Sequence, residues 1–138
     1  MSYCAKSDMI AAFGEEELIQ LTDRQFAATV DESVLALAIA AAEAEINIWL
    51  AGSYTLPLSS VPAVLTRMAC DFTRYILSGD IAEDHAISIR YRDQMKKLQA
   101  IASGKASLGL DQAGTQTARV DLVQIAAGRN DFGDRSSW

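Results

Sequence analysis

The sequence predicts a mainly α-helical fold, a small antiparallel bundle followed by an extended C-terminal arm that has room for a short β segment. Three observations predict it. Apolar residues return every three or four positions in three long runs between residues 31 and 104. Alanine is abundant while aromatics are only 7% of the chain, a balance that favours helix. Glycines at 52, 79 and 104 close those runs, and glycine is the residue that most readily ends a helix.

Taken in order, the first helix is expected from Ser7-Asp8, whose side chains suit the free amides of a first turn, to Gly14. Glu15-Glu16-Glu17 ahead of Leu18, Ile19 and Leu21 predicts a second short helix with its acids at the positive end of the dipole, broken at Thr22-Asp23. Asp31 is a good cap for the third, in which Leu35, Ala38, Ile39, Ala42, Ile46, Trp49 and Leu50 form one stripe and Gly52 supplies the stop. Val34, Leu37, Ala41 and Ile48 form a second stripe on the same helix. Two readings of that stripe stand: a central helix packed on two sides, or a helix whose second side meets a neighbouring subunit.

After a loop over residues 52–60, Pro62 sits where a first helical turn tolerates a missing amide hydrogen. Val61, Leu65, Met68, Phe72, Tyr75 and Ile76 then trace one face of a helix ended by Gly79. Asp84 can cap the last one, with Ile87, Tyr91, Met95, Leu98, Ile101 and Ala102 as its buried stripe and Arg90, Arg92, Lys96 and Lys97 outside. Substantial helices joined by short loops pack most simply as a bundle. The division expected is therefore a helical domain over residues 1–104 and an arm over 105–138.

The arm is polar and punctuated by glycine, with one β-prone run, Ala118 to Ile125. A stretch of that kind does not close a core of its own but can add to the sheet edge of a partner. Phe132 and Trp138 lie in a charged end where nothing local buries them, which suits anchors for a partner's pocket, or plain disorder.

At 138 residues there is enough chain for one core. The net charge of −6 is concentrated early: residues 1–60 carry two basic and nine acidic side chains. Such a surface repels phosphate, so specific nucleic-acid binding is not expected; the acidity is either ordinary solvation or the lining of a channel past which DNA slides. The two cysteines, Cys4 in an end expected to be loose and Cys70 inside a helix, do not suggest a disulfide framework. No basic stretch leading into an apolar one opens the sequence, and no 18 apolar residues run uninterrupted, so the expected site of synthesis is a reducing cytoplasm.

Catalytic signals are thin, and the expectation is a non-enzyme with no cofactor and no metal. His85 stands alone among charged residues, in a capping or solvated role, with no second ligand at zinc spacing. Glu43 and Glu45, two apart on a helix, point to different sides. Arg67, Asp71 and Arg74 read as an ion-pair ladder along one helix surface. There is no phosphate-binding glycine loop, nucleophile elbow or aromatic-basic alternation. A site assembled between subunits would have Tyr54, Arg90 and Tyr91 as its polar candidates. The partner-binding residues expected are Trp49, Tyr54, Leu56, Val120, Leu122, Phe132 and Trp138.

Three stretches in ordered succession carry a resemblance: Ile46 through Leu58 with its Tyr-x-x-Pro-Leu loop, then Pro62, Leu65 and Asp71-Phe72-Thr73-Arg74-Tyr75-Ile76-Leu77, then Arg90-Tyr91 with Leu98, Ile101-Ala102 and Gly104. Together with Tyr3, Leu18 through Asp23 and Ala40 through Glu45, they resemble the Mu-like phage head-tail connector, or head completion, proteins over residues 3–108. Ser53 stands where that family usually has Arg, and Phe72 or Thr73 where it favours Ala. The resemblance implies a structural virion protein at the head-tail junction, made in the bacterial host. It also implies self-association into a twelvefold ring, contact with the portal and with a tail or tail-terminator protein, and a genome that passes through the ring. The alternative is a small helical regulatory protein whose arm folds on a single partner; its acidic first half would suit a basic one.

Overall fold

The structure, a computed structural model, describes residues 2–110. Five helices run in order: α1 Lys6–Phe13, α2 Glu15–Thr22, α3 Glu32–Leu50, α4 Ala63–Ser78 and α5 Ala86–Ala102. The fold is mainly helical, with no strand among the described residues. Residues 118–125, the expected β-prone run, lie outside them.

The ends of the helices show where local chemistry decides and where it does not. Helix α1 starts earlier than its polar residues suggest: Ala5 is the residue before the first turn, and Asp8 reaches back to accept the Ala5 N–H at 2.9 Å. Asp31 caps α3 as expected, accepting from the Ser33 and Val34 amides at 3.1 and 3.2 Å. The stop assigned to Gly52 is corrected. Helix α3 ends through right-handed Ala51, and the Ser53 and Tyr54 amides both close onto the Leu50 carbonyl, at 2.9 and 2.8 Å. Pro62 sits just before α4 rather than inside its first turn, and Gly79, at φ +70°, ends that helix in a conformation L side chains avoid.

Helix α4 is the centre of the bundle. It packs against α1, α2, α3 and α5, and six consecutive residues, Met68 to Thr73, are buried. Leu35, Ala38, Ala42, Ile46 and Leu50 of α3 close on it from one side, Leu98 and Ile101 of α5 from another, and Met9 and Leu18 from the α1–α2 hairpin. Tyr91 stacks on Tyr75 with ring centroids 4.0 Å apart and meets Phe72 at 5.0 Å, while its hydroxyl donates to Glu45 Oε1 of α3 at 2.6 Å. Burial, and then that hydrogen bond to a carboxylate, raise the Tyr91 pKa.

Of the expected ladder the Arg67–Asp71 rung forms and the Asp71–Arg74 rung does not. Arg74 forks onto Glu17 of α2 at 2.6 and 3.0 Å, its guanidinium 4.4 Å from the Phe13 ring centroid. Asp71 is 1% exposed, accepts from Gln94 Nε2 of α5 at 2.6 Å, and lies 3.5 Å from Arg67 and 4.0 Å from Arg90. Partners on other helices outcompete the neighbour three residues along, and only the tertiary fold supplies them.

The chain beyond α5 returns to the core. Leu108 and Leu110 are buried, and the Leu108 amide donates to the Tyr54 hydroxyl at 3.1 Å. The described start of the segment expected to be an arm therefore packs on the loop between α3 and α4. Truncating Phe72 to Ala is expected to cost about 3–5 kcal/mol, and Leu108 to Ala about 2 kcal/mol, both read from urea midpoints. An unchanged midpoint for Leu108→Ala would detach residues 105–110 from the core.

Candidate subunit interface

Helix α3 turns five residues toward α4 and leaves a second face uncovered by any described residue. Ala36, Leu37, Ala40, Ala41, Ala44 and Ile48 are exposed, Leu37 at 74% and Ile48 at 75%. No charge lies on that face from Ser33 to Ile48, a length of about 22 Å at the helical rise. Small residues there let a neighbouring backbone come close. Grooves flank it: one of about 480 Å³ is lined by Ser2, Cys4, Ala5, Ala36, Ile39, Ala40 and Glu43, and one of about 310 Å³ by Arg24, Val34, Leu37, Ala38, Ile76 and Leu77. The helix is long and apolar enough, by length and composition, to cross a membrane, with a mean hydropathy of 1.5. In this bundle five of its side chains are buried in the core.

The loop ahead of α3 presents Phe26, the most exposed large apolar side chain described, at 93%. Phe26 and Ala28 have φ of +57° and +62°, which a bulky L residue adopts only under constraint. The constraint is visible. The Asp23 carboxylate accepts from the amides of Ala27 at 2.9 Å, Ala28 at 2.7 Å and Gln25 at 3.3 Å. Thr22 Oγ1 meanwhile donates to the Leu18 carbonyl at 2.8 Å and accepts the Asp31 amide at 3.0 Å, pinning both ends of the loop.

Of the residues expected to bind partners, Trp49 is half-buried against the core, beside the uncovered face. Tyr54 is buried, with its hydroxyl engaged by Leu108. Leu56 is half-buried and lines a separate pocket with Tyr3, Asn47 and Leu58. Val120, Leu122, Phe132 and Trp138 lie outside the described residues. Leu37 and Ile48 of the second stripe are the residues that stand free. Phe26 was not singled out by periodicity, because it belongs to no helix; the one signal for it is a lone aromatic in a polar break.

The polar candidates for chemistry face different partners: Tyr54 meets Leu108, Arg90 faces Asp71, and Tyr91 meets Glu45. His85 caps α5, its Nδ1 accepting the Ile87 amide at 3.1 Å. Glu43 and Glu45 diverge as expected, one to the Tyr3 amide and the other to the Tyr91 hydroxyl. Among the described residues no three His, Cys, Asp or Glu side chains are grouped to hold a metal ion. The cysteines require a correction: Cys4 is not in a loose end but buried, with its sulfur 3.2 Å from that of Cys70. Burial of Tyr3, whose amide bonds Glu43 and whose hydroxyl bonds Asn47, draws the first residues onto α3.

Hydrogen bonds from the loop amides, Ala27 foremost, hold the Asp23 pKa below its ordinary 3.8. The loop's dependence on that charge is therefore complete above the ordinary value and lost as pH falls through the lower folded one. NMR is expected to show the Asp23 carboxyl titrating low. Asp23→Ala should abolish protection of the Ala27 and Ala28 amides at neutral pH with little change in melting; protection that persists would place the constraint elsewhere.

Comparison with known proteins agrees with the resemblance at the level of the family. The model of the family described as Bacteriophage Mu, Gp36 matches residues 3–128. The Mu-like prophage FluMu protein gp36 of Haemophilus influenzae is 36% identical over 108 residues, covering 78% of this chain and 76% of that protein. Gene product J of Escherichia phage Mu is 30% identical over 127 residues, covering 91% of this chain and 89% of that one. A match that contains the whole helical bundle, with relatives of similar extent, makes this chain a member of the bacteriophage Mu Gp36 family.

Proposed function

We propose that this chain is a non-enzymatic structural protein of a tailed-phage particle, one subunit of the head-tail connector ring that joins the portal to the tail. The observation that carries the reading is the uncharged face of α3, which no described residue covers. A monomer rarely leaves a helix-long apolar face in water unless another surface meets it. Membership of a phage protein family and the ordered connector-like stretches support the same direction.

The face favours repeated copies over a single foreign partner for a geometrical reason. A projecting aromatic, Phe26, and apolar grooves beside α3 occur on one chain. A contact between unlike patches, repeated by rotation, closes into a ring. Charge fits as well: Arg24 stands two residues from Phe26, and Glu43 lines the larger groove. The net charge of −6 gives a lumen that does not hold passing DNA.

The test mixes the purified chain with the portal protein of the same phage and images the mixture by negative stain. An annulus of copies seated on the portal is expected, and failure to bind the portal would favour the regulatory alternative. Leu37→Glu with Ile48→Glu should abolish the annulus while leaving helicity and melting within a few degrees of wild type, and Phe26→Ser should weaken assembly at least tenfold. If the double variant instead melts much lower, the face is covered by residues 111–138 of its own chain and the proposed contact is wrong.

A further inference from the structure

Two cysteines lie 66 positions apart in sequence, and the fold brings their sulfurs to 3.2 Å, both side chains buried. They are the only two in the chain. We propose that Cys4 and Cys70 form a dithiol site that a hydroperoxide converts to an intramolecular disulfide, stapling the N-terminal segment to the central helix.

Geometry carries most of the case. Disulfide sulfurs sit about 2.05 Å apart, so closure asks for roughly 1.2 Å of approach, within the reach of small side-chain rotations on both residues. The partners are already held. On one side Ser2 Oγ donates to the Cys4 carbonyl at 2.7 Å, and Tyr3 binds Glu43 and Asn47 of α3. On the other, Cys70 stands in the middle of the buried run of α4. An entry path exists, since Cys4 lines the groove of about 480 Å³ beside α3, which is open to solvent and far larger than a peroxide.

The two sulfurs share one hydrogen bond in which either can be the donor, so one thiol ionises with the other as its partner. The sulfur that carries the thiolate is the nucleophile. It attacks one peroxide oxygen, forming an S–O bond as the O–O bond breaks; the departing hydroxide takes up a proton and leaves as water. The other sulfur then attacks the sulfenic acid, the S–S bond forms, the S–O bond breaks, and the hydroxide released leaves as a second water with the second thiol's proton. Two thiols lose two electrons and one peroxide gains them. On the connector reading, the chain is made in a reducing cytoplasm and later carried in a particle outside the cell, where disulfides persist. Only that timing rests on the reading.

The experiment needs neither portal nor ring. Full-length protein is treated with a slight excess of hydrogen peroxide, then denatured; thiols are titrated and peptides mapped by mass. Thiols are expected to fall from two per chain to none, with a Cys4–Cys70 linked peptide, faster migration on a non-reducing gel and a melting temperature raised on the order of 10 °C. A phosphine reductant should reverse all of these changes, and Cys4→Ser should show none of them. Two thiols surviving the peroxide, sulfinic acid at either residue, or cross-linked dimers in place of the internal bridge would each overturn the proposal, and none of them would bear on ring formation.

Discussion

The other described helices are arranged around six consecutive buried residues of α4, Met68 to Thr73. A helix buries one stripe when it lies on a surface and can bury a full turn and a half only when other elements surround it. Hence α1 and α2, each only eight residues long and too short to persist alone, close one side of α4, while α3 and α5 close the others. The enclosure also takes in polar groups. Thr73 returns its hydroxyl to the Ala69 carbonyl at 2.7 Å, and Asp71 is held by Gln94 with Arg67 and Arg90 at its rim. Burying a carboxylate is unfavourable unless it is paired, and these partners, drawn from α4 and α5, set the register of one helix on the other.

The same enclosure explains why the most apolar helix is not the central one. Helix α3 carries enough apolar surface for two stripes, yet α4 can take only one of them. A helix apolar all round is ordinarily a buried one, and that rule misplaces the centre here. The amphipathic pattern of α4 points to a single buried face, because Asp71 and Thr73 look like surface residues when their partners are unknown. Polarity by itself reports what a side chain needs, not where it sits.

Much of the fold was legible. Helix positions followed from three- and four-residue spacing and from Asp31, Gly14 and Gly79, all signals confined to a few neighbouring residues. What escaped depended on contacts distant in sequence. Arg74 with Glu17, Tyr91 with Glu45 and Cys4 with Cys70 are separated by 57, 46 and 66 positions, and no local rule pairs them. The candidate interface divided in the same way. Leu37 and Ile48 were visible as surplus apolar positions, but deciding between a second core face and an outer one required knowing what lay opposite. Phe26 was marked only by being a lone aromatic in a polar break, since its exposure rests on a strained loop held by Asp23 rather than on any repeat.

The magnitudes bear on when such a surface would be used. Leu37, Ile48 and Phe26 each leave unrealised about 1.5–3 kcal/mol of burial, together a sizeable part of the 5–15 kcal/mol that typically separates folded from unfolded states. That sum is large enough to matter and too small to act alone. Association of two proteins costs on the order of 4–15 kcal/mol in lost translational and rotational freedom, so a pair of free copies gains little from meeting through this face. A platform that already holds one copy changes the balance, because the next copy then gains its neighbour's apolar face in addition to its own seat, at an effective concentration set by the platform. On the connector reading, the portal is that platform. On that reading a modest α3 face would be an advantage: a stronger one would close rings in the absence of a head, whereas copies held together weakly would join only where a platform presents them side by side.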